Sequence, residues 1–197
     1  MKITLSFLAT VFFIWLALFD SQVVLGDGVK APNTPIQVNL KKHEKDAIPF
    51  DQYTIYPQAS FELTAKILSK KDYSRGREVD LSKTDLALGW GTMSDEAVLE
   101  TISISQSRRW YRWKTPHFKI PRRDIERQSA NMHMIPANDS VQDVIDDAKQ
   151  GELIHLKGYL VRVTAEDGWR WQSSLTRDDT GAGACEVIYV ENASLAS

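Results

Sequence analysis

Alternation of apolar and polar positions begins at Tyr53. Phe61, Leu63, Ala65 and Ile67 take one side, and Glu62, Thr64 and Lys66 take the other. That two-residue period predicts a half-buried strand, ended by the polar run LSKKDYS. A second strand is predicted over 104–114, ISQSRRWYRWK, with its rings turned inward and its arginines in water. Three more runs fill 151–190: GELIHLKGYLVRV, WRWQSSL and ACEVIYV. Asp167-Gly168 between the first two predicts a tight hairpin whose central residues tolerate positive φ. The Gly-rich acidic loop TRDDTGAG divides the second from the third.

The run beyond Glu152 changes parity partway along. Ile154, Leu156 and Leu160 share one side, whereas Tyr159, Val161 and Val163 share the other, with Gly158 between them. A glycine inside a strand beside such a change predicts a bulge or sharp bend, as at the corner of a small barrel. Two helices interrupt the strands. Ser94 is the expected N-cap of a short one carrying Asp95 and Glu96 in its first turn and Val98, Leu99 and Ile102 as an apolar stripe. Ser140 is the expected cap of a longer one, with Asp143 at the capping-box position, Val141, Val144, Ile145 and Ala148 on one face, and Gly151 as its stop. Together these elements predict an α+β domain that is mostly β, a small curved sheet or OB-like barrel with two or three short helices.

Before Tyr53 the pattern is of another kind. Ile3 to Phe19 is an apolar-rich run of 17 residues behind Lys2, between the length of a signal-peptide core and that of a comfortable membrane span. Residues 1–26 therefore read as a signal peptide or an N-terminal membrane anchor, with both outcomes open. The charge bias around the run places the rest of the chain outside the cytoplasm, on the periplasmic side of a bacterial inner membrane, anchored or secreted. Residues 27–50, with Pro32, Pro35, Pro49 and the KKHEK charge run, read as a tether. Ile36, Val38 and Leu40 alternate there and allow a short edge strand. Residues 51–197 are then a single globular domain, about one ordinary core in size.

Charge and cysteine content narrow the chemistry. A net charge of −2 argues against a globally basic nucleic-acid binder. The single cysteine, Cys185, excludes an internal disulfide and any CxxC metal site. Cys185 with His133, oriented by Asp178 or Asp179, is the one arrangement that suggests nucleophilic catalysis, since a thiol needs a base to become thiolate at neutral pH. The alternative is a small buried hydrophobe at the start of ACEVIYV. Asp178 and Asp179 with Glu186, Thr176 and Thr180 lack the spacing of a calcium loop, and Met132, His133 and Met134 are too few for a soft-metal site. No metal and no cofactor are expected.

Two surfaces combine rings with charge. One lies within 104–129, where eight Lys or Arg face only two acids and Trp110, Tyr111, Trp113 and Phe118 are interleaved; Arg108, Arg109 and Arg112 are its candidate binding residues. The other places Arg177, Asp178 and Asp179 beside Trp169 and Trp171, a composition suited to sugar or peptide surfaces. For an exported chain the expected partners are an envelope polymer or protein, and the membrane itself through residues 3–19 if the leader is retained. No nucleic-acid partner is expected.

DLALGWGTMSD, ISQSRRWYRW, SANMHMIPAN, GYLVRV and DGWRWQSSLTRDDTGAGACEVIYV together resemble a family of uncharacterised bacterial exported or single-pass membrane-anchored proteins. The likeness spans about Tyr53 to Val190, with WQSSLTRDDTGAGACE its most specific part. It implies an envelope setting and carries no activity. The functional expectation is a non-enzymatic accessory or binding module of the cell envelope; the rival is a cysteine-dependent hydrolase or transferase using Cys185 with His133 and Asp179.

Overall fold

The computed structural model describes residues 22–41, 44–176 and 185–196. Among the described residues, ten strands and three short helices make the α+β, mostly-β fold that the alternation predicts. The organising strand is β3 (Tyr53–Asp72), which pairs antiparallel with β8 (Leu153–Ala165) from Tyr53↔Ala165 to Lys66↔Leu153. Beyond that point β3 pairs with β4 (Thr84–Gly89), β4 with β7 (Ser129–Pro136), β7 in parallel with β10 (Glu186–Ala196), and β10 with β8. Five strands thus form a closed ring in the order β3-β4-β7-β10-β8-β3. One parallel pair within an otherwise antiparallel five-stranded ring is the arrangement of the expected OB-like barrel.

The inner face is the one read from alternation. Phe61, Leu63, Ala65 and Ile67 meet Leu86, Leu88, Met132, Met134, Ile154, Leu156, Leu160, Ile188 and Val190 in a single core. Helix α3 (Asp139–Asp147) closes one end of the ring with Val141 and Ile145, aided by Ala148. Its cap is Asn138, whose side chain accepts the Val141 N–H, and not Ser140; the capping-box reading of Asp143 falls with it.

The parity change in β8 has a different origin from the one expected. Both of its faces are buried: even positions enter the core, while Val161 and Val163 join a second apolar cluster with Tyr53, Ile55, Leu81, Ile135 and Val187. The irregularities lie on its partners. β3 carries an extra residue, Gln58, beside Pro57, which has no N–H to give the ladder. β10 carries an extra residue, Glu191, opposite Gly158 and Lys157. Gly158 is needed because the bulged strand crowds it: a Cβ there would lie 2.0 Å from the Tyr189 carbonyl oxygen.

The remaining elements decorate the ring. The stretch read as a tether contributes β1 (Ile36–Asn39) and β2 (Ile48–Phe50), both paired with β3. Ahead of them Ala31 is buried, and its N–H and that of Lys30 are taken by Ser94 Oγ. Ser94 is thereby diverted from capping, and Asp95 caps helix α1 (Glu96–Leu99) in its place. Residues 104–114 form two strands, β5 (Ser103–Ser107) and β6 (Trp110–Lys114), so the single strand expected there is a hairpin. Tyr111 and Trp113 do face inward, with Ile104, over Leu68, Ala87, Met93 and Ile125. Helix α2 (Arg122–Arg127) leads back into β7. The Asp167-Gly168 hairpin joins β8 to β9 (Arg170–Gln172), but only Gly168 has positive φ. Its loop spans three residues, closed by Ala165 and Trp169, with glycine at the left-handed position. No helix among the described residues is long and apolar enough to cross a membrane.

Substituting Gly158→Ala forces β8 and β10 apart at the bulge. It is expected to lower stability by about 2–3 kcal/mol, the upper range of an overpacked site, seen as a lower denaturation midpoint with an unchanged slope. Stability equal to that of the parent would show that the close approach is not required.

Candidate functional site

A carboxylate sits on the outer face of β4 where alternation would place it in water. Asp85 has 0% of its surface exposed, because the β5–β6 hairpin folds back across β4 and β7. At the tip of that hairpin Arg108 and Arg109 form a two-residue turn with φ of 53° and 66°. Non-glycine residues pay about 1–2 kcal/mol each for the left-handed region. Arg109 offsets this through its guanidinium, which donates to Asp85 Oδ1 at 2.6 Å and to the Ser82 carbonyl at 2.7 Å. Charge-assisted bonds of this kind contribute about 1.5–3 kcal/mol each. Its backbone N–H reaches the Tyr73 hydroxyl at 3.0 Å, and its cation lies 4.1 Å from the Tyr73 ring centroid. Burial of that hydroxyl raises the Tyr73 pKa.

Three polar residues complete the centre. His133 on β7 is held by Nδ1 against Asp85 Oδ1 at 2.8 Å, with its ring 4.9 Å from that of Trp171. Asn131 reaches the Arg109 carbonyl at 3.3 Å and receives Gln106 Nε2 at 2.6 Å. The Cys185 thiol lies 3.8 Å from the same Arg109 carbonyl. Cys185 immediately precedes the Glu186↔Met132 pair, so β10 and β7 bring it onto the His133 side of the sheet. The histidine is thus oriented by Asp85, in the manner of a catalytic dyad. Asp179, the orienting residue read from sequence, lies outside the described residues, as do Arg177, Asp178 and Thr180.

From Trp171 a row of rings and cations continues toward the Asp167-Gly168 turn. Trp169 is 6.2 Å from Trp171 and 5.5 Å from Tyr53. Arg77 lies over both, 4.9 Å from the Trp169 centroid and 5.4 Å from that of Tyr53. It is fixed by Asp167 at 2.5 and 3.1 Å. That paired guanidinium holds the Asp167 carboxyl below its ordinary range, helped by the Trp169 N–H. The order Arg77, Trp169, Trp171, Arg109, Tyr73 is a ledge of two cations set among three rings, with Trp169 and Trp171 half-buried.

The candidates from sequence therefore separate. Arg109, Trp169, Trp171, His133 and Cys185 gather on one side of the barrel. Arg108 and Arg112 are exposed on the hairpin and touch none of this; Arg112 bonds Ser107 Oγ at 2.8 Å. Trp90 and Met132 are core residues, and Glu186 is buried. His155 is bound to Thr64 and Glu62. Among the described residues no group of three or more His, Cys, Asp or Glu is placed to hold a metal ion. Asp85, Tyr73, Arg77 and Gln106 were not legible as site residues. The available hint was a carboxylate in the apolar strand TDLALG, upstream of a basic hairpin able to neutralise it.

No protein-family model, curated protein or solved structure matches this chain.

Removing the cation from the centre leaves a buried, uncompensated carboxylate. Arg109→Ala is expected to cost about 3–5 kcal/mol, and Asp85→Asn in the same chain to recover part of it in a double-mutant cycle; additive losses would deny the coupling. At the ledge, the Asp167 carboxyl has a depressed pKa, so its bond to Arg77 is kept above the ordinary aspartate range and lost as pH falls through the lowered value. Tryptophan emission from the Trp169 ring should shift over that acid window, and Asp167→Asn should abolish the shift.

Proposed function

We propose that this chain is a non-enzymatic binding module of the bacterial cell envelope, a member of the family it resembles, whose ligand lies along the ledge from Arg77 to Tyr73. The observation that carries the reading is the row of rings and guanidiniums: Arg77 stacked on Trp169, Trp169 beside Trp171, and Arg109 between Trp171 and Tyr73. Half-buried rings of this kind offer apolar faces to sugar or peptide units, and the guanidinium of Arg77, partly exposed, keeps N–H donors for their polar groups. An envelope polymer supplies both. The apolar-rich run Ile3–Phe19 supports a location on the periplasmic side of the inner membrane, anchored or released.

A second reading is favoured by one contact, the 2.8 Å bond from His133 Nδ1 to Asp85, which fixes the imidazole tautomer on the side of the sheet that bears Cys185. On that reading the chain is a cysteine-dependent hydrolase or transferase with Cys185 as nucleophile, His133 as base and Asp85 as orienter.

Sedimentation with purified peptidoglycan tests the first reading. Trp169→Ala should weaken retention about tenfold, the equivalent of one lost ring contact, while thermal unfolding stays cooperative; retention unaffected by Trp169→Ala and by Arg77→Ala counts against the ledge. Alkylation of Cys185 by iodoacetamide in the native chain discriminates the second. A rate enhanced near neutral pH and lost in His133→Gln transfers the site to the enzyme, whereas an ordinary thiol profile supports the binding module.

A further inference from the structure

The hairpin that shuts the Asp85 centre presents a second, outward face that the ledge does not use. Pairing of Ser103 with Lys114, Ser105 with Arg112 and Ser107 with Trp110 lines three hydroxyls against two cations and a ring, all of them exposed. Arg108 extends this face at the turn. Past β6, Phe118 is 53% exposed and set edge-on to Trp113, and Arg122 lies 5.5 Å from the Trp113 centroid, so both border the hairpin beside its inward ring. Residues 104–129 carry eight basic and two acidic side chains, a net +6 in a chain of net −2, so the remainder carries −8. Within that excess Arg109 is paired with Asp85, Lys119 with Glu100 and Arg122 with Glu126, while Arg108, Arg112 and Lys114 stand exposed on the hairpin.

From these observations we infer that the outer face of the β5–β6 insertion docks on a bilayer surface rich in anionic phospholipid. Lys and Arg neutralise headgroup phosphates while serine hydroxyls donate to them, and Trp110 enters the interfacial layer, where aromatic rings are favoured. A bilayer is favoured over a soluble polyanion because exposed Trp110 sits among these cations, and a ring beside basic side chains suits the membrane interface. Nucleic acid fits less well, because a single ring on this face offers no stacked platform for successive bases.

The inference is independent of the ledge and its ligand. Its test is hydrogen–deuterium exchange of the full chain reconstituted in nanodiscs of phosphatidylcholine alone or with a third of phosphatidylglycerol. Amides of 103–118 should exchange about tenfold more slowly in the anionic discs, and the protection should disappear in Arg108→Glu/Arg112→Glu/Lys114→Glu and in high salt. These side chains are exposed, so circular dichroism of the triple variant should match the parent. Equal exchange in both lipids, or undiminished protection in the triple variant, overturns the inference. Protection by a single-stranded oligonucleotide without protection by anionic discs overturns it in favour of nucleic acid.

Discussion

A buried carboxylate on the outside of a barrel strand must have a cation brought to it, and the architecture around the ring follows from how that is done. Asp85 is closed off by the tip of a hairpin that starts eighteen residues further along the chain. Arg109 can reach it only if β5 and β6 lie across β4 and β7, and once they do, Tyr73, Ser82, Asn131 and Gln106 each find a partner in the same network. Burying the pair is costly unless its remaining polar atoms are satisfied, and here backbone carbonyls and side-chain amides satisfy them. His133 and Cys185 are gathered by that network because they lie on neighbouring strands of the face it covers.

The ring itself depends on irregular pairing. Extra residues at Gln58 and Glu191 let β3 and β10 curl around β8, and Gly158 is where the backbones come closest. The bulge at Gln58 also turns Tyr53 and Ile55 out of the barrel into the second cluster, under Trp169 and Trp171. Barrel closure and the position of the ledge are thus one geometric event.

Much of this was visible in the chain. The inner faces of β3 and β8, the hairpin at Gly168 and the helix over 139–147 follow from two-residue and helical periods, since those record which side of a strand or helix meets a core. What alternation could not report is the layer laid over the outside of the ring. Lys66 and Asp85 sit at polar positions and look solvated, yet both are buried, Lys66 against Glu96 and Asp85 against Arg109. Each partner is more than twenty residues away, so no local pattern marks the pair. The cap of α1 was misplaced by one residue because Ser94 is claimed by Lys30 and Ala31 from a distant segment.

The left-handed turn at Arg108 and Arg109 has a bearing on how the hairpin and the ring are coupled. Neither residue favours that conformation alone, and the groups that reward it, Asp85, Ser82 and Tyr73, are contributed by β4 and by the segment joining β3 to β4. The turn therefore takes its shape from tertiary contacts with the ring beneath it and not from its own residues. A disturbance of the ring at β4 is thus felt at the hairpin tip, although Asp85 and Arg109 are far apart in the chain.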